Sequence, residues 1–300
     1  MSAIETAEAA KAQEERTGPL FARSLCAAAR THRGTVRQEN EDAFLCRPDL
    51  GLFAVIDGMG GHSAGRQAAE LARQALLDSG DPARGLIAAN ERILRVAKAR
   101  RDLQGMGCVA PALRIEAGVA RIAHVGDTRV YLAGSAGCEQ LTRDHTVAAS
   151  EQERLGLSQG LAGGLQGRNQ VTRDLGGQKR QGEEWIDRLE VTLEQGALLL
   201  MCSDGLPGAL GSDDLFDRLR QGRRAHTPPE DLADELIALA LERGARDNVT
   251  ALIVRQEGEV AMAERHGDTR SGALPALRRS VLPFLLGAAL GFLLRGLAGF

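Results

Sequence analysis

Apolar residues in this chain cluster in short stretches, each closed off by Gly, Asp or Asn. Leu52 to Ile56, Val119 to Val125, Leu198 to Cys202 and Val249 to Val254 are of this kind, the pattern of buried strands bounded by turns. A different spacing lies between them. Ala64 to Leu77 carries Ala68, Leu71, Ala72 and Ala75 at helical intervals, and Leu86 to Ala99 is similar. Pro228 and Pro229 open a third helical stretch, Pro229 to Arg243, where a missing backbone N–H costs nothing. Strands interrupted by helix pairs predict a layered α+β arrangement with sheets inside and helices outside. The Gly/Gln-rich segment from Gly156 to Gln170 predicts a mobile surface loop. No internal repeat is visible.

This pattern divides the chain into four parts. Residues 1–24 read as a polar arm, with Met1 to Arg16 expected as a frayed helix or disordered stretch. Residues 25–256 form the body. Residues 257–279 are polar and Gly-containing, as a linker would be. Residues 280–300, behind Arg278 and Arg279, are apolar from Val281 onward apart from Arg295. A helix over Val281 to Phe300 would be roughly 30 Å long, the thickness of a bilayer's hydrocarbon core. The preceding arginines would then keep the body in the cytoplasm, anchored to the inner membrane. A helix docked on protein is the soluble alternative.

Composition narrows the function. With 300 residues and 43% hydrophobic content, the chain can bury one substantial core. A formal net charge of -3 argues against a nucleic-acid partner, which would demand a basic stripe. Cys26, Cys46, Cys108, Cys138 and Cys202 are odd in number and widely spaced. They support neither a disulfide framework nor a zinc site. Cys202 lies inside an apolar run, so a buried inert thiol is expected rather than a nucleophile.

The acids carry the candidate chemistry. Asp57 and Asp204 each follow an apolar strand and precede glycine. Asp247 precedes Asn248 and a strand, and Glu41 and Asp42 stand just before Phe44 and Leu45. A single Asp-Gly or Asp-Asn pair at a strand end is usually a turn. Several carboxylates at one edge of a sheet core would repel one another unless cations neutralised them. Oxygen donors without a His or Cys cluster suit Mg²⁺ or Mn²⁺ rather than zinc.

Seven ordered segments carry a resemblance: RGTVRQENEDAFL from Arg33, AVIDGMGGH from Ala54, AHVGDTRVYL from Ala123, LTRDHT from Leu141, VTRDLGG from Val171, LLLMCSDGL from Leu198 and RDNVTALIV from Arg246. Together they resemble the metal-dependent serine/threonine protein phosphatases of type 2C, in their compact bacterial form. The resemblance implies a four-layer α/β/β/α sandwich of two antiparallel sheets flanked by helices, here with the C-terminal hydrophobic helix added. It implies two divalent cations, with Asp57 bridging them and the Gly58 carbonyl as a further ligand. Glu41 would support one metal, and Asp204 and Asp247 the other. Asp42 would hold water at the centre, and Asp127 would help bind a weaker third metal. Arg37 would clamp the phosphate of a phosphoserine or phosphothreonine, which a bridging, metal-activated hydroxide would attack. The partners implied are a phosphorylated protein substrate and an opposing Ser/Thr kinase.

Some positions depart from the family pattern. Met59 stands where the better-studied eukaryotic members have an acid histidine, which leaves protonation of the leaving group to water. His62 is expected to cap or pack near the helix at Ala64, and His145 to be structural. Asn248 is expected to fix the turn that aims Asp247, and Arg173 to pair with acids away from the phosphate. Gly107-Cys108-Val109 replaces a hydroxyl-bearing Gly-Thr-Thr or Gly-Ser-Thr. Two other functions fit the same residues. One is a catalytically weak phosphoprotein-binding module at a membrane, and the other a small-molecule phosphatase.

Overall fold

The computed structural model describes residues 14–16, 20–22, 24–61, 63–155, 170–177 and 184–258. His62, most of the Gly/Gln-rich stretch and the tail from residue 259 lie outside the described residues. Among those described, no helix is long and apolar enough to cross a membrane.

In chain order the elements are β1 (Glu14–Arg16), β2 (Leu20–Ala22), β3 (Leu25–His32), β4 (Ala43–Arg47), β5 (Leu52–Met59), α1 (Ser63–Ser79) and α2 (Pro82–Ala99). Next come β6 (Gly107–Glu116), β7 (Val119–Val125), β8 (Arg129–Gly134), β9 (Gly137–Gln140), α3 (Val147–Leu155) and β10 (Asp187–Thr192). The body closes with β11 (Leu198–Cys202), α4 (Gly205–Leu210), α5 (Ser212–Ala225), α6 (Pro229–Glu242) and β12 (Val249–Gln256). Two antiparallel sheets result. The larger has seven strands in the order β1-β3-β12-β11-β8-β9, with β2 also on β3; the smaller runs β10-β7-β6-β5-β4.

Burial explains why Leu52 to Ile56 of β5 and all of β11 read as unbroken apolar runs. In β11, Leu199 and Met201 face the core between the sheets, while Leu198, Leu200 and Cys202 face helices α4–α6. In β5, Phe53 and Val55 point inward, and Leu52, Ala54 and Ile56 meet α1 and α2. A strand covered on both faces has no use for polar alternation. Ala68, Ala69, Ala72 and Ala75 line the buried stripe of α1, and such small side chains let the helix lie close to the sheet. The start of α2 is fixed by Asp81, whose carboxylate accepts the Arg84 N–H at 2.8 Å, with Pro82 next. This is the layered sandwich that the family resemblance implies.

Several elements differ from expectation. Glu14–Arg16 is a strand paired with Arg30–His32, and Leu20–Ala22 pairs with Leu25–Ala27, so the described parts of the polar arm extend the larger sheet. The edge of β3 offers unpaired backbone groups, and a polar segment can satisfy them without a hydrophobic pattern. Helix α5 buries only Leu215, Leu219 and Gly222, and α3 buries nothing, which leaves little periodicity to read. Strand β6 is central yet contains Pro111, a residue that argues against a central strand. Its pairing with β5 covers Leu52–Ala54, skips Val55 and Ile56, and resumes at Asp57.

Candidate metal centre

Strand register brings the candidate acids to one end of the sandwich. Ala43 pairs with Ile56, so Glu41 and Asp42, just before β4, fall beside Asp57 near the end of β5. In the other sheet Cys202 pairs with Ala251 and with Arg129. Asp204 therefore leaves β11 where Asp247 approaches β12 and Asp127 approaches β8. Six carboxylates converge by topology alone.

Their electrostatics follow from the convergence. Burial pushes the Asp57 carboxyl well above the usual range, and Asp42, Asp204, Asp127 and Asp247 push it further, in that order. Asp42 rises to about 7, first through burial and then through Asp204 and Asp247, although hydrogen bonds from Thr250 and Ser203 pull the other way. Asp127 also rises to about 7, through burial and then Asp204 and Asp144. Asp204 is raised by burial and Asp247, against Arg129 and Arg37. Such mutual destabilisation of the ionised form is what a bound cation relieves. Among the described residues, however, no three His, Cys, Asp or Glu side chains form a ready-made set of metal ligands. The acids are electrostatic neighbours, several of them held by other partners.

Glu41 enters through close backbone packing. A Cβ on Gly58 would lie 2.3 Å from the Gly65 carbonyl oxygen and 2.6 Å from that of Glu41. A Cβ on Gly65 would lie 2.8 Å from Glu41 Oε1. Only glycine at both positions lets the Glu41 carboxylate sit between β5 and the first turn of α1. Asn248 supplies the matching support from the other sheet. Its Oδ1 accepts the Glu41 N–H at 2.9 Å, and its Nδ2 donates to the carbonyls of Arg33 (3.1 Å) and Glu39 (2.9 Å). The Asn248 N–H donates to Asp247 Oδ1 at 2.9 Å, so this residue ties its own loop to the connection between β3 and β4 and orients two acids.

Arg37 stands at the rim, its Nη2 2.8 Å from Asp247 Oδ2, with side-chain exposures of 52% and 43%. The structure thus joins the candidate phosphate clamp to a candidate metal ligand. Below them, Asp42 Oδ2 accepts from Ser203 Oγ at 2.7 Å and Thr250 Oγ1 at 2.5 Å, while Asp42 Oδ1 is buried with no hydrogen-bond partner. A buried carboxylate oxygen left open, among hard oxygen donors, fits a site for a divalent cation and its waters.

The remaining expectations fall around this centre. His145 Nδ1 accepts the Gly126 N–H at 3.1 Å, and the His145 N–H donates to the Gly126 carbonyl at 2.7 Å. Nε2 must then carry the proton toward Asp187 Oδ2, 3.1 Å away, so His145 braces the turn before Asp127. Arg173 pairs with Asp187 at 2.8 Å. Val109, where the family has a hydroxyl, packs over Gly126; a Cβ there would lie 2.1 Å from the Val109 Cβ. All five cysteines are free, and burial pushes the Cys202 thiol up to about 12. Sequence reasoning missed Ser203, Thr250 and the Arg129–Asp144 pair, whose Nη2–Oδ2 distance is 2.6 Å. The available signal was a hydroxyl or charge interrupting an apolar strand at the acidic end.

Residues 29–249 match the family model described as Protein phosphatase 2C. The chain belongs to the protein phosphatase 2C family. The serine/threonine phosphatase stp of Listeria welshimeri is 31% identical over 244 residues, covering 76% of this chain and 94% of that protein. The crystal structure of the Mycobacterium tuberculosis serine/threonine phosphatase PstP/Ppp matches with a TM-score of 0.70 at 29% identity, covering 78% of this chain and 100% of that one. A PstP catalytic domain in complex with 2 manganese ions matches with a TM-score of 0.67, also at 29% identity, covering 78% and 99%. As a protein phosphatase 2C member, the chain is a protein serine/threonine phosphatase, and every candidate residue from Arg37 to Asp247 lies within the matched span.

Proposed function

We propose that this phosphatase acts through two Mg²⁺ or Mn²⁺ ions held by Asp57, the Gly58 carbonyl, Glu41, Asp204 and Asp247, with a weaker third at Asp127. The convergence of Glu41, Asp42, Asp57, Asp127, Asp204 and Asp247 at one end of the sandwich, with Asp42 Oδ1 buried and open, is the observation that carries this reading. Bound cations would neutralise that charge and supply Lewis-acid activation of the attacking water. The chain's own residues do the rest. Arg37 releases Asp247 and grips two phosphate oxygens with its planar fork, which orients phosphorus for in-line attack. Asp42, through its open Oδ1, accepts a hydrogen bond from water and aims it. Met59 follows Gly58 and cannot donate a proton, so solvent protonates the leaving serine or threonine oxygen.

The substrate is a phosphorylated protein, and the natural counterpart is a Ser/Thr kinase. Residues 25–256 are the catalytic domain, 257–279 a linker, and 280–300 a transmembrane anchor that leaves catalysis at the cytoplasmic face of the inner membrane. The apolar run behind Arg278 and Arg279 supports that arrangement. A catalytically weak binding module is not favoured, because phosphate capture by Arg37 needs no buried carboxylate cluster. The test is hydrolysis of phosphothreonine peptides by the full chain. Activity lost in EDTA should return with Mn²⁺ or Mg²⁺, and turnover that persists in EDTA overturns the proposal.

A further inference from the structure

The carboxylate of Asp42 closes a ring of hydrogen bonds that spans both sheets. Thr250 Oγ1, on β12, donates to Asp42 Oδ2 at 2.5 Å. A hydroxyl has one proton, so the 2.7 Å contact between Thr250 Oγ1 and Thr31 Oγ1 must be donated by Thr31, its cross-strand partner on β3. Thr31 Oγ1 in turn accepts from Asn40 Nδ2 at 2.9 Å, and Asn40 Oδ1 accepts the backbone N–H of Asp42 at 3.2 Å. Every donor in the circuit points the same way and ends on one oxygen. Ser203, just past β11, adds a second donor to that oxygen, and its Oγ is itself held by the Thr250 N–H at 2.9 Å.

This arrangement treats the two carboxylate oxygens differently. Oδ2 takes two hydroxyl donors, whereas Oδ1 is buried and takes none. Packing alone would not produce that asymmetry, since a buried polar atom without a partner is costly. We propose that Thr250 and Ser203 are positioning residues for the phosphatase reaction, fixing Oδ2 of Asp42 so that Oδ1 is the oxygen turned to the metal centre. Thr31 and Asn40 set the direction of the chain that holds them. The inference rests on the metal-centre reading given above.

The test separates hydroxyl from shape at one position. Thr250→Val keeps the branched outline and removes the donor; Thr250→Ser keeps the donor and loses a methyl group. Mn²⁺ binding to the full chain is measured by titration calorimetry, and kcat and KM with a phosphothreonine peptide. Thr250→Val should weaken Mn²⁺ binding and lower kcat, each roughly ten- to a hundredfold, with KM unchanged, while Thr250→Ser stays near wild type. Ser203→Ala should fall in the same direction by about tenfold, and it carries the test should Thr250→Val not fold. Wild-type behaviour of Thr250→Val, or of Ser203→Ala in its place, overturns the inference. So does a Thr250→Ser variant as impaired as Thr250→Val, which would mark a packing role. Asp57→Asn run in parallel separates the two claims. If it still binds Mn²⁺, the metal-centre reading has failed; if it loses Mn²⁺ while the hydroxyl variants behave as wild type, only the positioning role has.

Discussion

Asp42 and Asp247 belong to one cluster of negative charge and are held in opposite ways. Asp42 lies on the floor, fully enclosed, with Oδ2 fixed by two hydroxyls and its carboxyl raised to about 7. Asp247 lies on the rim, 43% exposed, with one oxygen taken by the Asn248 N–H and the other by Arg37. The floor contact is between a buried carboxylate and two neutral hydroxyls that are themselves held, Thr250 by Thr31 and Ser203 by the Thr250 N–H. The rim contact is a solvated ion pair that a competing anion or cation can exchange. Rigidity below and exchangeability above suit a site that must keep its metal ligands in place while phosphate enters and leaves.

The largest effect should come from the floor. Asp57→Asn removes the carboxylate that Asp42, Asp127, Asp204 and Asp247 all repel, so Mn²⁺ binding by calorimetry and peptide dephosphorylation should both be lost. In EDTA the same variant should melt above wild type, because a buried charge has gone and its neighbours are relieved. Loss of activity with a lower melting temperature would instead mark Asp57 as a folding residue.

The rim should respond differently. Arg37→Ala removes an exposed ion pair, worth about 0–1 kcal/mol, so the melting temperature should hardly move. Its charge-assisted hold on phosphate should be missed far more, with KM for a phosphothreonine peptide rising roughly ten- to a hundredfold. Mn²⁺ affinity should be unchanged or tighter, since Asp247 is freed. A large drop in stability, or an unchanged KM, would break the contrast between rim and floor.

The two regions were also unequally legible in the sequence. Apolar runs ending in Asp announced Asp57 and Asp204, because a charge that terminates a buried strand stands out against its neighbours. The seven motifs then implied the sandwich. The hydroxyl ring was not visible, since Thr31 and Thr250 are ordinary strand residues until register sets them opposite each other. Nor was the Arg37–Asp247 pair, whose partners are 210 residues apart. Strand β6 was obscured by Pro111, and α5 by a buried stripe only one side chain wide. Local pattern reports burial; it does not report which buried groups face one another.

The finest test of the floor is its response to pH in EDTA. An unfolded aspartate titrates near 3.9, whereas Asp42 and Asp127 do so at about 7 in the folded chain, with Asp57 and Asp204 raised as well. Over that interval the folded state binds more protons than the unfolded one. The stability these groups contribute is therefore complete below about pH 4 and is lost as pH climbs through about 7. His124 and His145 work against this trend. Burial lowers both, His124 to about 3, so their contribution grows as pH rises through the unfolded histidine value. The Asp42 contribution is isolated by comparison with Asp42→Asn, which leaves the other acids and both histidines in place. From about pH 5 to about pH 7.5 the melting temperature of wild type should fall relative to that variant, and saturating Mn²⁺ should abolish the relative fall. Parallel melting curves in EDTA would mean that Asp42 keeps its charge at no cost, and the floor would then be no different from the rim.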